Sequence, residues 1–149
     1  MEEEECMKIS TKGRYALRLM LDLAVNGTGQ PVRVKEISVR QDISDKYLEQ
    51  IISVLTKGGF VISARGPQGG YRLAKEPGDY TVGSILRIIE GKLCPVACLE
   101  TEENTCVRKS GCITLPLWKK LDEAINSVVD NVTLQDLIDW DKEKNGKDV

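Results

Sequence analysis

Apolar residues recur along this chain with two different periods, and the change between them separates helices from a hairpin. From Thr11 to Asn26 the apolar positions are Tyr15, Ala16, Leu19, Met20 and Leu23, spaced three and four apart as on one face of an α-helix. Gly27 and Gly29 end that helix. A shorter helix is expected over residues 34–40, with Val34, Ile37 and Ser38 turned inward. Gln41-Asp42-Ile43 reads as a turn and Ser44 as an N-cap. The helix that follows, from about Asp45 to Lys57, carries Leu48, Ile51, Ile52 and Leu55 at offsets 0, 3, 4 and 7. Gly58-Gly59 stops it. Residues 60–65 and 71–75 then read as two strands around Gly66-Pro67-Gln68-Gly69-Gly70, a hairpin with a glycine-rich tip.

The second half begins near Thr81. Val82, Ile85, Leu86 and Ile89 repeat the offsets 0, 3, 4 and 7, and Gly91 closes the helix. After a cysteine-bearing stretch, a long helix starts near Pro116, a residue tolerated in a first turn. Leu117, Leu121, Ala124, Ile125, Val128 and Val132 give it a continuous apolar stripe. Thr133-Leu134-Gln135-Asp136 resembles a capping box opening a final short helix through Leu137, Ile138 and Trp140. A charged tail follows from Asp141. A stripe that long needs a cover, and the same helix of a second chain, related by a two-fold axis, supplies one. The expected fold is mainly α with a small β-hairpin: a winged helix-turn-helix plus a long dimerisation helix.

Charge placement adds a partner. The net charge of −2 hides a split. Residues 7–75 hold 12 Lys and Arg against 5 Asp and Glu, a net of +7, whereas residues 76–149 hold 9 against 14, a net of −5. A basic module inside an acidic chain points to a polyanion for that module. In a winged helix-turn-helix the second helix of the motif enters the major groove and the hairpin reaches the neighbouring backbone. Asp45, Lys46, Glu49, Gln50, Ser53 and Lys57 face outward on that helix. Gln50 can read adenine edges and Glu49 can accept from cytosine N4. Lys12, Arg14, Lys46 and Lys57 suit phosphates, and Arg65 and Arg72 flank the wing tip.

The chain has no histidine, which removes the histidine-dependent triads, the HExxH zinc sites and the commonest general base. It also lacks a glycine-rich phosphate loop with lysine and a redox CxxC. An enzyme is not expected. No apolar run is long enough to span a membrane, and the acidic opening Met-Glu-Glu-Glu-Glu is the wrong sign for a secretory signal. The expected location is cytoplasmic.

Four of the five cysteines fall within 19 residues: Cys94, Cys98, Cys106 and Cys112, with Cys6 apart. A reducing compartment disfavours disulfides. Zinc usually takes two close Cys pairs, and the looser spacing here suits an iron–sulfur cluster held by thiolates. Zinc, a thiol switch and inert buried thiols remain the alternatives. Lys92, Arg108 and Lys109 nearby would lower thiol pKa and offset cluster charge.

Several segments together carry a family likeness: Met7-Lys8-Ile9-Ser10-Thr11-Lys12-Gly13-Arg14-Tyr15-Ala16, then Ile43-Ser44 with Tyr47-Leu48-Glu49-Gln50, then Arg65-Gly66-Pro67-Gln68-Gly69-Gly70-Tyr71, and last Cys112 with Leu117-Trp118. From about Met7 to Trp140 the chain resembles the dimeric winged-helix transcription factors that include the iron–sulfur cluster regulator IscR, the nitric-oxide sensor NsrR and the cysteine-metabolism repressor CymR. The resemblance implies the following organisation: residues 1–6 an added extension, 7–80 the DNA-binding domain, 81–91 a connecting helix, 92–114 a cluster loop, 115–142 dimerisation helices and 143–149 a flexible tail. It implies DNA contacts from Ser44, Tyr47, Glu49 and Gln50 on the recognition helix and from the wing, Arg65 to Gly70. It implies a palindromic operator. It also implies a cluster, [2Fe–2S] by likeness, on Cys98, Cys106 and Cys112. Two departures stand out. Leu115 occupies the position where IscR has a histidine ligand, and the gap from Cys98 to Cys106 is longer than in IscR. Cys94 is the first candidate for the fourth ligand, a carboxylate of Glu100, Glu102 or Glu103 the second, and a residue of the partner subunit the third. The implied function is cluster-modulated control of iron–sulfur biogenesis genes. The alternative is a cofactor-free regulator of sulfur metabolism, acting through a partner protein or a thiol switch.

Overall fold

The computed structural model describes residues 9–95 and 113–145. Six helices and one two-stranded antiparallel hairpin follow in the order α1 (Thr11–Asn26), α2 (Val34–Gln41), α3 (Asp45–Lys57), β1 (Val61–Ala64), β2 (Gly70–Leu73), α4 (Val82–Glu90), α5 (Leu115–Asp130) and α6 (Leu134–Asn145), with a short 3₁₀ turn at Pro77–Asp79. Local chemistry sets the ends. Ser10 Oγ accepts from the Gly13 N–H at 3.0 Å and Ser44 Oγ from the Tyr47 N–H at 3.2 Å, each satisfying an otherwise orphaned helix donor. Asp42, in the left-handed region at φ 54°, ends α2 and turns the chain into α3. Gly91, at φ 81°, ends α4. Thr133 and Asp136 cap α6 reciprocally: each side chain accepts from the other's backbone N–H, at 3.1 and 2.9 Å.

The apolar spacing of α3 is realised as read. Leu48, Ile51, Ile52 and Leu55 are all buried, and they pack with Ala16, Leu19, Met20 and Leu23 of α1 and Ile37 of α2 in one core. That core does not stop at residue 80. Tyr80, Ile85 and Leu134, which the sequence placed at or beyond the edge of the winged unit, belong to it. Burial raises the Tyr80 hydroxyl above its ordinary pKa. That hydroxyl donates to the Phe60 carbonyl at 2.7 Å and accepts from the Lys75 N–H at 3.0 Å, closing the base of the hairpin. The Tyr80 carbonyl accepts from the Leu134 N–H, and Thr81 pairs with Thr133 in an isolated bridge. Helix α4 and the start of α6 therefore share one core with α1, α2 and α3.

Helix α5 differs from every other long helix described. None of its residues is buried, and Leu117 and Val128 are 55% and 63% exposed. Its attachment to α4 is polar on one edge, where Arg87 makes two bonds to Asp130 and one to Asn126. Helix α6 runs to Asn145, past the point where a charged tail was expected from Asp141. Lys142 and Lys144 in its last turn complement the helix dipole. Among the described residues, no helix is long and apolar enough to cross a membrane.

Candidate nucleic-acid interface and thiol segment

Helix α2, the tight turn at Asp42 and helix α3 form the helix-turn-helix. One ion pair, with a buried carboxylate and a partly exposed arginine, fixes α2 on α1. The Asp22 carboxylate, with no side-chain exposure, accepts from Arg40 Nη2 at 2.7 Å, Arg40 Nε at 3.0 Å and Gln41 Nε2 at 2.9 Å. Burial alone would raise the Asp22 pKa, but the bonds from Arg40 and Gln41 and the Arg40 charge outweigh it and hold the carboxyl below its usual value. Arg40 is thereby committed to structure. Arg18 is committed too, bonded to the Gln41 side chain and carbonyl with its guanidinium 5.3 Å from the Tyr15 ring centre.

The predicted DNA-contacting residues divide by exposure. Ser44, Lys46, Glu49 and Gln50 are exposed on the outer face of α3. Tyr47 is half-buried, its ring edge-on to Tyr15 at 5.6 Å, so it contributes packing as well as surface. Arg14 is exposed and Lys12 half-buried on the first turn of α1. Arg65, Gly66, Pro67, Gln68 and Arg72 are exposed, and Gly69 and Gly70 half-buried, on the hairpin. Glu49, Ser53, Thr56 and Lys57 of α3 face Ser63 and Tyr71 across a groove of about 320 Å³. Helix α3 and the hairpin therefore border one concave surface.

The wing is held by more than its own ladder. Val32, between α1 and α2, pairs with Tyr71 through two backbone bonds of 2.8 Å, adding a one-residue third strand. A Cβ at Gly70 would lie 2.5 Å from the Val32 carbonyl oxygen, so this close approach requires glycine. Gly66, at φ 103°, makes the tip.

Of the four clustered cysteines, only Cys94 falls among the described residues. Cys98, Cys106 and Cys112, and the carboxylates of Glu100, Glu102 and Glu103, lie outside them. Cys94 is half-buried at a cavity of about 490 Å³ bordered by Ile9, Ser10, Glu90 and Ile125. Glu90 joins this corner to α1: its Oε1 accepts from the Ser10 N–H at 2.5 Å, and a Cβ at Gly13 would meet that oxygen at 2.6 Å. No group of three or more Cys, Asp or Glu able to hold a metal is found among the described residues. Leu115, at the first position of α5, offers no ligand atom.

Comparison with known proteins decides the family. A family model described as Rrf2, iron-dependent transcriptional regulator, matches residues 9–140. The chain belongs to the Rrf2 family. It is 41% identical over 132 residues to the protein rrf2 of Nitratidesulfovibrio vulgaris, covering 89% of this chain and 87% of that one. The solved structure of CymR, the global cysteine regulator of B. subtilis, superimposes with a TM-score of 0.75 at 40% identity, covering 91% of this chain and 98% of that chain. The structure of T. potens IscR gives 0.73 at 41% identity, covering 93% and 90%. This Rrf2 protein is thus a DNA-binding transcriptional regulator with a winged helix, and its relatives are regulators, not enzymes.

Proposed function

We propose that this Rrf2 protein acts as a homodimer on duplex DNA, reading a palindromic operator with two copies of α3 and the wing, and that an iron–sulfur cluster on the thiols after α4 tunes that binding. One observation carries the reading: the four-thiol segment connects α4, packed into the core, to α5, which has no buried residue and leaves Leu117 and Val128 of its apolar stripe exposed. Helix α5 of a second subunit is the natural cover. Pairing through α5 spaces two recognition helices on one duplex.

In this reading Gln50 and Glu49 contact base edges, and Lys46, Arg14, Lys12, Arg65 and Arg72 contact phosphates. Ser44 caps α3 and sets its N-terminal turn toward the groove. A bound cluster supplies a rigid multi-thiolate cross-link. Cys98, Cys106 and Cys112 hold it, with Cys94 as fourth ligand. The chain's own contribution is to relay the constraint. Glu90 ties the end of α4 to the start of α1, and the Arg87 bonds tie α4 to α5. A change in operator affinity of about 10–100-fold requires only about 1.4–2.7 kcal/mol of coupling between the thiol segment and the DNA surface. Iron–sulfur biogenesis genes are the proposed targets.

The likeness to CymR and the leucine at position 115 favour a second reading, a cofactor-free regulator of sulfur metabolism acting through a partner protein or thiol switch. Anaerobic purification with an absorption spectrum and iron and sulfide analysis separates the two. Visible charge-transfer bands with stoichiometric iron and sulfide support the cluster. A colourless, metal-free protein that binds its operator fully supports the second reading, and zinc in place of iron refutes both cofactor assignments.

A further inference from the structure

Arg33, at the entrance of α2, lies outside every DNA-contact set considered so far. It follows Val32, whose two backbone bonds to Tyr71 bring the α1–α2 connection against the hairpin. Its own backbone N–H donates to Glu36 Oε2 at 3.0 Å, which fixes the residue at the start of the helix. Its guanidinium reaches across and donates from Nη2 to the carbonyl of Pro67, an exposed residue of the hairpin tip. Thirty-four residues of chain separate these two groups. The side chain is thus delivered to the tip from a different element.

The electrostatics distinguish Arg33 from Arg40 and Arg87. Arg40 and Arg87 are each spent on a carboxylate. Arg33 bonds a neutral carbonyl, and among the described residues no carboxylate lies within ion-pair distance of its guanidinium. One donor of a planar five-donor group is used, and the residue is exposed. The remaining donors and the whole positive charge are presented beside Gly66 and Pro67. An arginine held in this way has already lost much of the rotamer freedom that binding would otherwise cost it.

We propose that Arg33 is a further DNA-interface residue of this protein, contacting the phosphate backbone beside the wing tip while it holds the Pro67 carbonyl. The proposal rests on the reading of the hairpin as a DNA-contacting wing. Its test is a salt titration. The full-length protein binds a fluorescently labelled duplex of mixed sequence, and anisotropy is followed as KCl is raised. Each phosphate contact contributes about 0.9 to the slope of log K against log salt. R33A is therefore expected to lose about 0.9 of slope and to bind about eightfold more weakly at about 0.1 M salt. R33K restores the slope because the charge returns. R33Q keeps a hydrogen-bond donor without charge and is expected to show the reduced slope of R33A, so a packing defect alone cannot reproduce the pattern. Arg65→Ala is measured alongside. If R65A weakens binding and the R33A slope equals that of wild type, Arg33 does not touch phosphate and the proposal is overturned while the wing reading stands. If R65A and R33A both bind as wild type, the wing reading itself fails and the proposal falls with it.

Discussion

Replacing Arg40 by alanine tests how the helix-turn-helix is held on its support. The substitution leaves Asp22 with no side-chain exposure and only Gln41 and local contacts as partners. Removing one partner of a fully buried pair costs about 3–5 kcal/mol because the other charge stays buried. The Arg40 side chain is 37% exposed, so solvent already screens the pair and the expected loss falls to about 2–3 kcal/mol. For a chain of this size that lowers Tm by about 4–12 °C. The loss must also depend on pH with a defined sign. In the wild type the folded-state pKa of Asp22 lies below the unfolded value of about 3.9. The pair's contribution is therefore complete above that value and lost as pH falls through the folded pKa. In R40A burial is opposed only by Gln41 and local contacts, so the folded-state pKa rises relative to wild type and the penalty develops as pH rises. Urea denaturation followed by circular dichroism should therefore show the largest gap between the two proteins near pH 7 and a smaller one near about pH 4. A variant within about 0.5 kcal/mol of wild type at pH 7 would refute the reasoning, and so would a gap that does not shrink in acid.

Other outcomes follow from the same geometry. Gly70→Ala forces a methyl group against the Val32 carbonyl and should cost about 1–3 kcal/mol of stability, with weaker DNA binding, in melting and anisotropy measurements. Val128→Asp places a charge in the uncovered stripe of α5 and should convert the dimer to monomer in sedimentation equilibrium at micromolar protein; an unchanged mass would remove α5 from the interface. Gln50→Ala should lower operator affinity by about 1–3 kcal/mol without changing Tm, and equal affinity for operator and scrambled duplex in the wild type would contradict base readout by α3. Cys106→Ser should abolish visible absorption of the anaerobically purified protein; persistence of the full spectrum would exclude that thiol as a ligand.

Much of this fold was legible because its signals are local. The offsets of Leu48, Ile51, Ile52 and Leu55 name the buried face of α3, Ser44 names its start, and Gly27, Gly58 and Gly91 name helix ends. What escaped is what joins distant segments. The Val32–Tyr71 bridge has no pattern within either segment, so the support of the wing was invisible. Asp22 stands one turn from Leu19 on the inner face of α1, and a charge there signals a buried partner but not which one. Arg33 looked like one more basic residue in a turn, since only the folded chain brings it to Pro67. The outer face of α3 and the wing were readable as a surface because charge and glycine content mark them. The clustering of four cysteines is plain in the sequence, and three of them lie outside the described residues.

Leu134 is fully buried in the common core, more than fifty residues after the hairpin, on a helix that packs against α1 and the Pro77–Asp79 turn. The amino-terminal lobe is consequently not a self-sufficient module. A fragment ending after Lys75 would lose the Tyr80 tie beneath the hairpin and open a leucine-sized hole in its own interior, a defect of about 2–5 kcal/mol. Truncation would therefore weaken the helix-turn-helix and hairpin themselves.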